Sequence, residues 1–560
     1  GNYTAGDASV GDLDGDGEYE IVLKWEDNPK DNSHKGKTNK VILDSYKLNG
    51  TRMWRINLGV NIREGAHYTQ FMVYDLDGDG KAEVACKTAD GTVDGVGEVI
   101  GDAKKDYRNS KGYILKGPEF LTIFDGETGK VLSTVNYIPP RHPSTENPTS
   151  KQIKNIWGDN YGNRVDRFLA CIAYLDGKMP SLVMCRGYYT RTVLAAWNFR
   201  NGQLENIWTF DSDASSVNRK YRGQGNHSVS VGDVDGDGKH EIIYGACAID
   251  HNGKGLYSTG LGHGDAGHLS DMDPDIPGLE FFMPHETKKA GISFRDAGTG
   301  KIIWSKKNSG DVGRGCAADI SASTKGFECW GTSGMGLYTC KGRSAGKLPS
   351  SVNHVIWWDG DLLRELLNSN RIDKYNGPNL LTAKGCSSIN GTKSNPCLQV
   401  DLFGDWREEV IFRTNDNRAL HVYTTTIPTN HRIYTLMHDP QYRVSIAWQN
   451  VAYNQPPHTG FYIGDGMMIL PQPNITIPKG PTKLSHIHLR KYSLAQVKSF
   501  IKIINSHLFT FQSDLLTRGK TVLCYDLSGR LVYKRDIEKD IINFKRESDI
   551  PDGIYIIEIK

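Results

Sequence analysis

Short apolar runs alternate with polar, glycine-rich punctuation along most of the chain. "EIVLKW", "EVACKT", "EIIYGA", "EFFMPH" and "EVIFRT" are brief runs rich in β-branched and aromatic side chains; they are too short for helices and are bounded by turn residues, so they predict β-strands. A second pattern recurs between them. "LTIFDGETGKVLS", "LAAWNFRNGQLENIWTF", "ISFRDAGTGKIIWS", "DSYKLNGTRMWRINL" and "VIWWDGDLLREL" each place a glycine-containing turn between two apolar strands, the pattern of a hairpin. One element of each kind makes a four-stranded unit, and about eight such units fit before residue 480 at the lengths propeller blades take. The expected architecture is all-β: an eight-bladed β-propeller over residues 1–485. Beyond "PKGPTKLSHIHLRK" the repeat stops, and "KTVLCYDLSGRLVYKRDI" with "DIPDGIYIIEIK" predicts a small C-terminal β-sandwich over 493–560.

The polar positions ahead of the first set of strands are acidic at alternate places. Asp12, Asp14, Asp16 and Glu20; Asp75, Asp77, Asp79 and Glu83; and Asp233, Asp235, Asp237 and Glu241 form three full copies of one design. Asp271, Asp273, Asp275 and Glu280 repeat it with one residue inserted, and Asp401, Asp405 and Glu409 keep part of it. Alternate carboxylates curl around a hard cation, a glycine permits the sharp turn, and the later Glu closes an oxygen cage, which is the logic of calcium ligation. An EF-hand would put its closing Glu at position 12 between helices, whereas here the Glu enters a strand. Several calcium ions, stiffening turns between strands, are expected.

Composition narrows the partners. The 67 basic and 65 acidic residues nearly cancel, and no Lys/Arg-rich block marks a nucleic-acid footprint. No apolar stretch approaches the roughly 20 residues needed to span a bilayer. The ten cysteines show no CxxC, haem-attachment or zinc-finger spacing, which removes thiolate metal chemistry. Cys329 with Cys340 and Cys386 with Cys397 flank short glycine-containing segments that a disulfide would close, and such bridges would fit an oxidising, extracellular location.

The connecting segments say more than the repeat. "NIREGAHYTQFMVYDLDGDGKAEVACKTADGT", "RGYYTRTVLAAWNF", "GQGNHSVSVGDVDGDGKHEI", "GLGHGDAGHLSDMDPDIPGLE", "GDVGRGCAADI", "NGTKSNPCLQVDLFGDWREEV" and "QNVAYNQPPHTGFYIGDGM" together resemble polysaccharide lyase family 11, the rhamnogalacturonan lyases, over most of Gly1 to Pro473. The resemblance implies an eight-bladed propeller holding calcium, with a cleft across its top for the rhamnogalacturonan I backbone of pectin and cleavage of the rhamnosyl-(1→4)-galacturonate bond by β-elimination. An extracellular or cell-surface location and a monomer are expected. Family members usually carry a β-sandwich before the propeller, whereas this chain opens on "GNYTAGDASVGDLDGDG", so either a segment is absent or the lineage differs. The "PDGIY" stretch from Pro551 to Tyr555 resembles the C-terminal sorting domains of type IX secretion.

Elimination removes the proton on C5 of galacturonate, which is acidic only when the adjacent carboxylate is neutralised, so the site needs a base and a cation. The resemblance points to Lys393 and Arg314 as cleft cations. Lysine can lose its proton when buried and arginine essentially cannot, which makes Lys393 the expected base and Arg314 the neutraliser. Asn390, Gly391 and Thr392 read alone as a hairpin turn; the resemblance makes them sugar contacts. Asn450 and Asn454 carry paired donors and acceptors that suit vicinal hydroxyls. Tyr188, Tyr189 and Arg191 are candidates for a sugar platform or for propeller core. His227 and His263 stand next to acidic turns in the sequence and read alone as structural histidines; the resemblance implies that they ligate a cleft ion, unusual for calcium, and Asp90 and Asp94 are either ligands or turn formers. Two other readings compete: a non-catalytic calcium-dependent glycan-binding or adhesion propeller, and a glycoside hydrolase. The latter needs paired carboxylates at a scissile bond, and the visible acids are mostly committed to turns.

Overall fold

The computed structural model describes residues 3–467, apart from 288 and 333, and the backbone of six strands between Ser499 and Ile559. The chain divides into two compact units, Gly1–Ile475 and Thr476–Lys560. In the second, the described strands form a four-stranded and a two-stranded sheet; the Pro551–Tyr555 stretch lies partly outside the described residues. Among the described residues no helix is long and apolar enough to cross a membrane.

The first unit is an eight-bladed β-propeller of antiparallel sheets. Blade 3 shows the plan in full: Phe168–Ala173, Ser181–Arg186, Val193–Arg200 and Gln203–Asp211 pair in sequence order. Its first two strands are buried throughout, while the last alternates exposed and half-buried positions for most of its length. That gradient is what a blade demands, since its first strand is walled in on both faces and its last meets water. Blades 1, 2, 4, 5, 6, 7 and 8 begin with Thr4–Gly11, Phe71–Tyr74, Ser230–Gly232, His268–Ser270, Gly315–Ala318, His354–Ile356 and Leu398–Val400. Two short strands, Thr92–Val93 and Val99–Ile100, extend blade 1 at its outer edge.

The centre of the ring is filled by the chain that follows blade 8. A helix from Pro440 to Trp448 packs against the first strands of blades 1 to 4, capped by Asp439, which accepts from Tyr442 N. It is buried on nearly every side, so its polar side chains must pair, and they pair with the walls. Gln441 Nε2 donates to Leu269 O at 2.9 Å, and Gln449 exchanges two 2.8 Å bonds with the backbone of Gln399. Asn450 takes Phe71 N and gives to Phe71 O, at 3.2 and 2.8 Å. Tyr462 reaches Asp319 at 2.7 Å. These bonds tie blades 2, 5, 6 and 8 to one segment, a plug.

Two expectations are corrected. "VIWWDGDLLREL" is not an outer hairpin: it joins the first two strands of blade 7, and Trp358 N donates to Glu365 at 2.8 Å. The acidic turn therefore recurs where only a hairpin pattern is visible. The four cysteines expected to bridge are free, buried thiols; Cys386 Sγ lies 3.5 Å from both His421 Nδ1 and Tyr423 Oη. They lend no support to an oxidising location.

Candidate active site

Every first strand runs from one face of the propeller, its entry, to an acidic turn at the other, its exit. Residues just before the first strands therefore gather on the entry face, and there a cleft of about 500 Å³ opens between blades 8 and 1. Thr4 to Gly6 form one wall, Asn390 to Lys393 the other, and His67 and Tyr453 lie with them. Tyr453 arrives on the plug. The Lys393 ammonium sits 4.1 Å from the Tyr453 ring centroid, a cation–π contact, and 3.8 Å from Asp265 Oδ2. Burial lowers the Lys393 pKa and Asp265 partly restores it.

Behind Lys393 lies a cluster that three separate segments build. His227, His263, Asp265 and Glu286 bring one donor atom each within 4.8 Å of one another. His227 Nε2 is 3.4 Å from Asp265 Oδ1 and His263 Nε2 is 3.8 Å from Glu286 Oε2. Tyr189 Oη sits 2.9 Å from His227 Nε2, and Tyr188 Oη stands between His227 Nδ1 at 3.0 Å and His67 Nδ1 at 3.2 Å. Burial pushes His263 down to about 3 and His227 and His67 well below the usual range, so all three rings are neutral near pH 7. Burial and the adjacent Asp265 carboxyl push Glu286 up to about 8, and burial raises Asp265 as well. His263 Nε2 and Asp265 Oδ1 are buried with no hydrogen-bond partner. Two neutral imidazoles, two crowded carboxyls and two orphaned lone-pair donors converging on one point fit a divalent cation.

The exit face is a different environment. In seven of the eight blades the closing Glu accepts from a backbone N–H at the start of the turn, at 2.8 to 3.0 Å: Leu13, Leu76, Val234, Met272, Ile320 and Leu402 each follow the turn's first Asp, and in blade 7 the donor is Trp358, where Trp357 stands in place of that Asp. The first Asp binds two turn amides, as Asp75 does with Gly78 N at 2.7 Å and Gly80 N at 3.0 Å. Asp12, Asp14 and Glu20; Asp75, Asp77 and Glu83; and Asp233, Asp235 and Glu241 each bring oxygens within 4.8 Å of one another. Burial pushes Glu83 and Glu241 up to about 8. Such pressure is what a cation in an oxygen cage would relieve. The third aspartates Asp16, Asp79 and Asp237 accept amides of their own turns. Not all copies are alike: Lys341 reaches Asp273 and Asp275, and Asp271 and Asp273 both act on Glu280. In blade 8 Asp401 accepts from Leu436 N at 2.7 Å and Asp405 pairs with Arg407, so that turn is anchored by protein donors.

The structure thus brings Lys393, Asn390, Gly391, Thr392, Tyr189, His227 and His263 to one face, and it separates the two histidines from the acidic turns by the length of a strand. Several assignments are corrected. Asn450 is 1 % exposed with its amide bound to Phe71 and Ala447 backbone, so it holds the plug and touches no sugar. Tyr188 is fully buried and orients histidines rather than offering a platform. Arg191 pairs with Asp211 at 2.6 Å. Arg314 is 6 % exposed and donates to the carbonyls of Tyr453, Asn353 and Asn454; it is a charge beneath the floor, not an exposed fork. Asp90 accepts from Asp102 N and Tyr107 Oη, and Asp94 from Val96, Glu98 and Val131 amides, which makes both turn formers. Asp265, Glu286, His67 and Tyr453 were not singled out. Asp265 stands two residues from His263, Tyr453 one from Asn454 and Glu286 one past the "EFFMPH" strand, while His67 lies inside the "NIREGAHYTQ" string, and only the folded ring shows that they converge.

A family model described as "Rhamnogalacturonan lyase family 11, C-terminal domain" matches residues 1–473. The chain is 62% identical over 485 residues to the rhamnogalacturonan endolyase YesW of Bacillus subtilis (strain 168), covering 85% of this chain and 76% of that protein. It is 60% identical over 499 residues to the rhamnogalacturonan exolyase YesX of the same organism, covering 85% and 80%. Among solved structures it matches YesW, with TM-score 0.81 over 85% of this chain and 81% of that one. The rhamnogalacturonan lyase PL11 of Bacillus licheniformis matches at 63% identity, also with TM-score 0.81 and 85% and 81% coverage.

Proposed function

The chain belongs to rhamnogalacturonan lyase family 11, and from that premise we propose that it cleaves the rhamnosyl-(1→4)-galacturonate bond of rhamnogalacturonan I by β-elimination in the cleft between blades 8 and 1, with calcium as its ion. It is a polysaccharide lyase, as its relatives are. The observation that carries the mechanism is the Lys393 ammonium, half-buried on the cleft wall and 3.8 Å from the carboxyl of the histidine–carboxylate cluster.

Burial is what makes Lys393 a base, since it favours the neutral amine. The amine takes the C5 proton; the C5–H electrons become the C4=C5 double bond; the C4–O4 bond breaks with its electrons on the rhamnosyl oxygen, which is then protonated from solvent. His227, His263, Asp265 and Glu286 would hold the cleft ion, and that ion would supply charge to neutralise the two carboxyls and attract the uronate carboxylate. Tyr188 holds His227 in orientation at Nδ1, and Nε2, which faces Asp265 and lies 2.9 Å from Tyr189 Oη, is the nitrogen the ion would take from that hydroxyl. Arg314 adds positive charge beneath the floor, and Asn390 to Thr392 are placed to meet sugar hydroxyls. On the exit face, calcium in the turns of blades 1, 2 and 4 would be structural.

The test is digestion of rhamnogalacturonan I followed by absorbance of 4,5-unsaturated galacturonate, with polygalacturonate as the control. Absorbing product from the first polymer alone is expected. Saturated products would replace lyase by hydrolase chemistry, and binding without products would favour a glycan-binding propeller.

A further inference from the structure

The first strand of blade 1 does not run straight. Its pairing with the second strand is regular from Ala8 opposite Leu23 to Gly11 opposite Glu20 and slips between Ala5 and Ala8, a β-bulge that re-aims the side chains between. One of these is Asp7, a carboxylate only 2 % exposed. A buried carboxylate needs partners, and Asp7 draws them from three separate parts of the molecule. Lys24 Nζ, from the second strand of its own blade, lies 2.5 Å from Oδ2. Asn454 Nδ2, from the plug, donates to Oδ1 at 2.9 Å. Asn390 Nδ2, from the loop leading into blade 8, approaches the same oxygen at 3.4 Å and donates to Asn454 Oδ1 at 2.6 Å.

Those three parts are the walls of the cleft. Asn390 has φ 57°, the left-handed region that Asn tolerates better than most residues, and it opens the single turn Gly391–Lys393 that carries the base. Asn454 follows Tyr453, whose ring lies under the Lys393 ammonium. We propose that Asp7 is a positioning residue of the lyase: backed by Lys24, its carboxylate locks the amides of Asn454 and Asn390 and thereby fixes the turn and the ring that aim Lys393. The inference rests on the lyase reading of the cleft. Neither neighbour can do this alone, because both amides direct their donors at this point and Asn454 Oδ1 is already taken by Asn390 Nδ2, and only a carboxylate offers acceptors to Lys24 and Asn454 together.

An asparagine at position 7 has one acceptor, so whichever way its amide turns, Lys24 or Asn454 meets a donor. Two enzymes test the idea: Asp7→Asn, and the double variant Asp7→Asn/Lys24→Met, which also removes the stranded buried ammonium. Both are assayed on rhamnogalacturonan I for kcat and KM beside the unaltered chain, with melting temperature measured on each. Asp7→Asn is expected to melt lower and to lose roughly tenfold to a hundredfold in kcat, the scale of a misplaced catalytic group, with KM changed much less. The double variant is expected to recover melting and not kcat. Recovery of both in the double variant would make the role purely structural and overturn the proposal, as would a well-folded single variant with unchanged kcat, or the failure of both to fold. If the unaltered chain forms no unsaturated product, the lyase reading fails first, and separately.

Discussion

Blade 4 carries His227 before its first strand and Asp233 just after it; blade 5 carries Asp265 and Asp271 in the same two places. The exit ends resemble one another throughout the ring: seven blades share one glutamate-to-amide bond, and three share a nearly identical acidic turn. The entry ends do not. There the blades present His67, Arg167, His227, Asp265, Arg314, His354 and Lys393, three histidines among four charged side chains of both signs. The repeat was kept where it closes strands and was released where it meets the cleft, the division expected when a rigid scaffold carries function on its loops. The comparison predicts that substitution of a cleft-lining entry group such as Lys393 costs activity without stability and exit substitutions the reverse, while entry groups buried behind the cleft, Asp7, His268 and His354 among them, also carry stability.

The largest effect belongs to Lys393. Lys393→Ala is expected to lower turnover about a hundredfold to ten-thousandfold, the usual worth of a general base, while melting temperature and bound metal stay as they are. Near-normal turnover would remove Lys393 from the base role, and a large drop in melting would break the separation of the two faces. Next comes metal removal. Chelation is expected to lower the melting temperature, because each ion bound only by the native state adds about 2.7 kcal/mol when present at a hundred times its Kd. Asp75→Asn, in the blade 2 turn, should remove part of that chelator-sensitive stability and leave kcat within about twofold. Metal analysis showing no calcium, with an unchanged melt in chelator, would refute the ion reading of the exit face.

Acid should act on the entry ends. His268 and His354 begin the first strands of blades 5 and 7, and burial depresses both to about 3. Between their ordinary value near 6.5 and that depressed one the unfolded chain binds more protons, so stability falls as pH falls through this window, by about 1.4 kcal/mol per pH unit for each ring. Urea midpoints that decline from pH 7 to pH 5 would agree; a flat profile would mean that the rings find protons or partners when charged.

The all-β class, the blade repeat and most of the acidic turns were legible because they are local: a strand's period, a glycine's freedom and a row of carboxylates lie within a dozen residues. The plug was not. Pro440 to Trp448 is buried nearly all round and so lacks the amphipathic stripe that announces a helix on a surface. Asn450 illustrates the cost, since its amide suits a sugar and a strand backbone equally, and only its place inside the ring decides between them. The His227–Glu286 cluster was half visible for the same reason: Asp265 and Glu286 carry no pattern of their own and meet the histidines only through the ring.

The smallest effect sharpens the comparison within the exit face itself. "DLDGDGEYE" in blade 1 and "DLDGDGKAE" in blade 2 differ at two positions, yet their electrostatic company differs more. In blade 1 Lys47 Nζ stands 2.5 Å from Asp14, 3.1 Å from Asp16 and 3.6 Å from Glu20, and in blade 7 Lys374 does the same among Asp359, Asp361 and Glu365. In blade 2 the nearest lysine, Lys81, turns outward to Glu127 at 2.6 Å. An ammonium among the carboxylates competes with a divalent ion for the same charge, so the blade 1 turn should hold calcium more weakly than the blade 2 turn. Lys47 is about a third exposed, and a pair so exposed is worth at most about 1 kcal/mol. Lys47→Met is therefore expected to leave melting in calcium nearly unchanged, to lower it slightly in chelator, and to tighten one calcium site in a titration. If titration and both melts match the unaltered chain, Lys47 is a bystander and the two turns are equivalent after all.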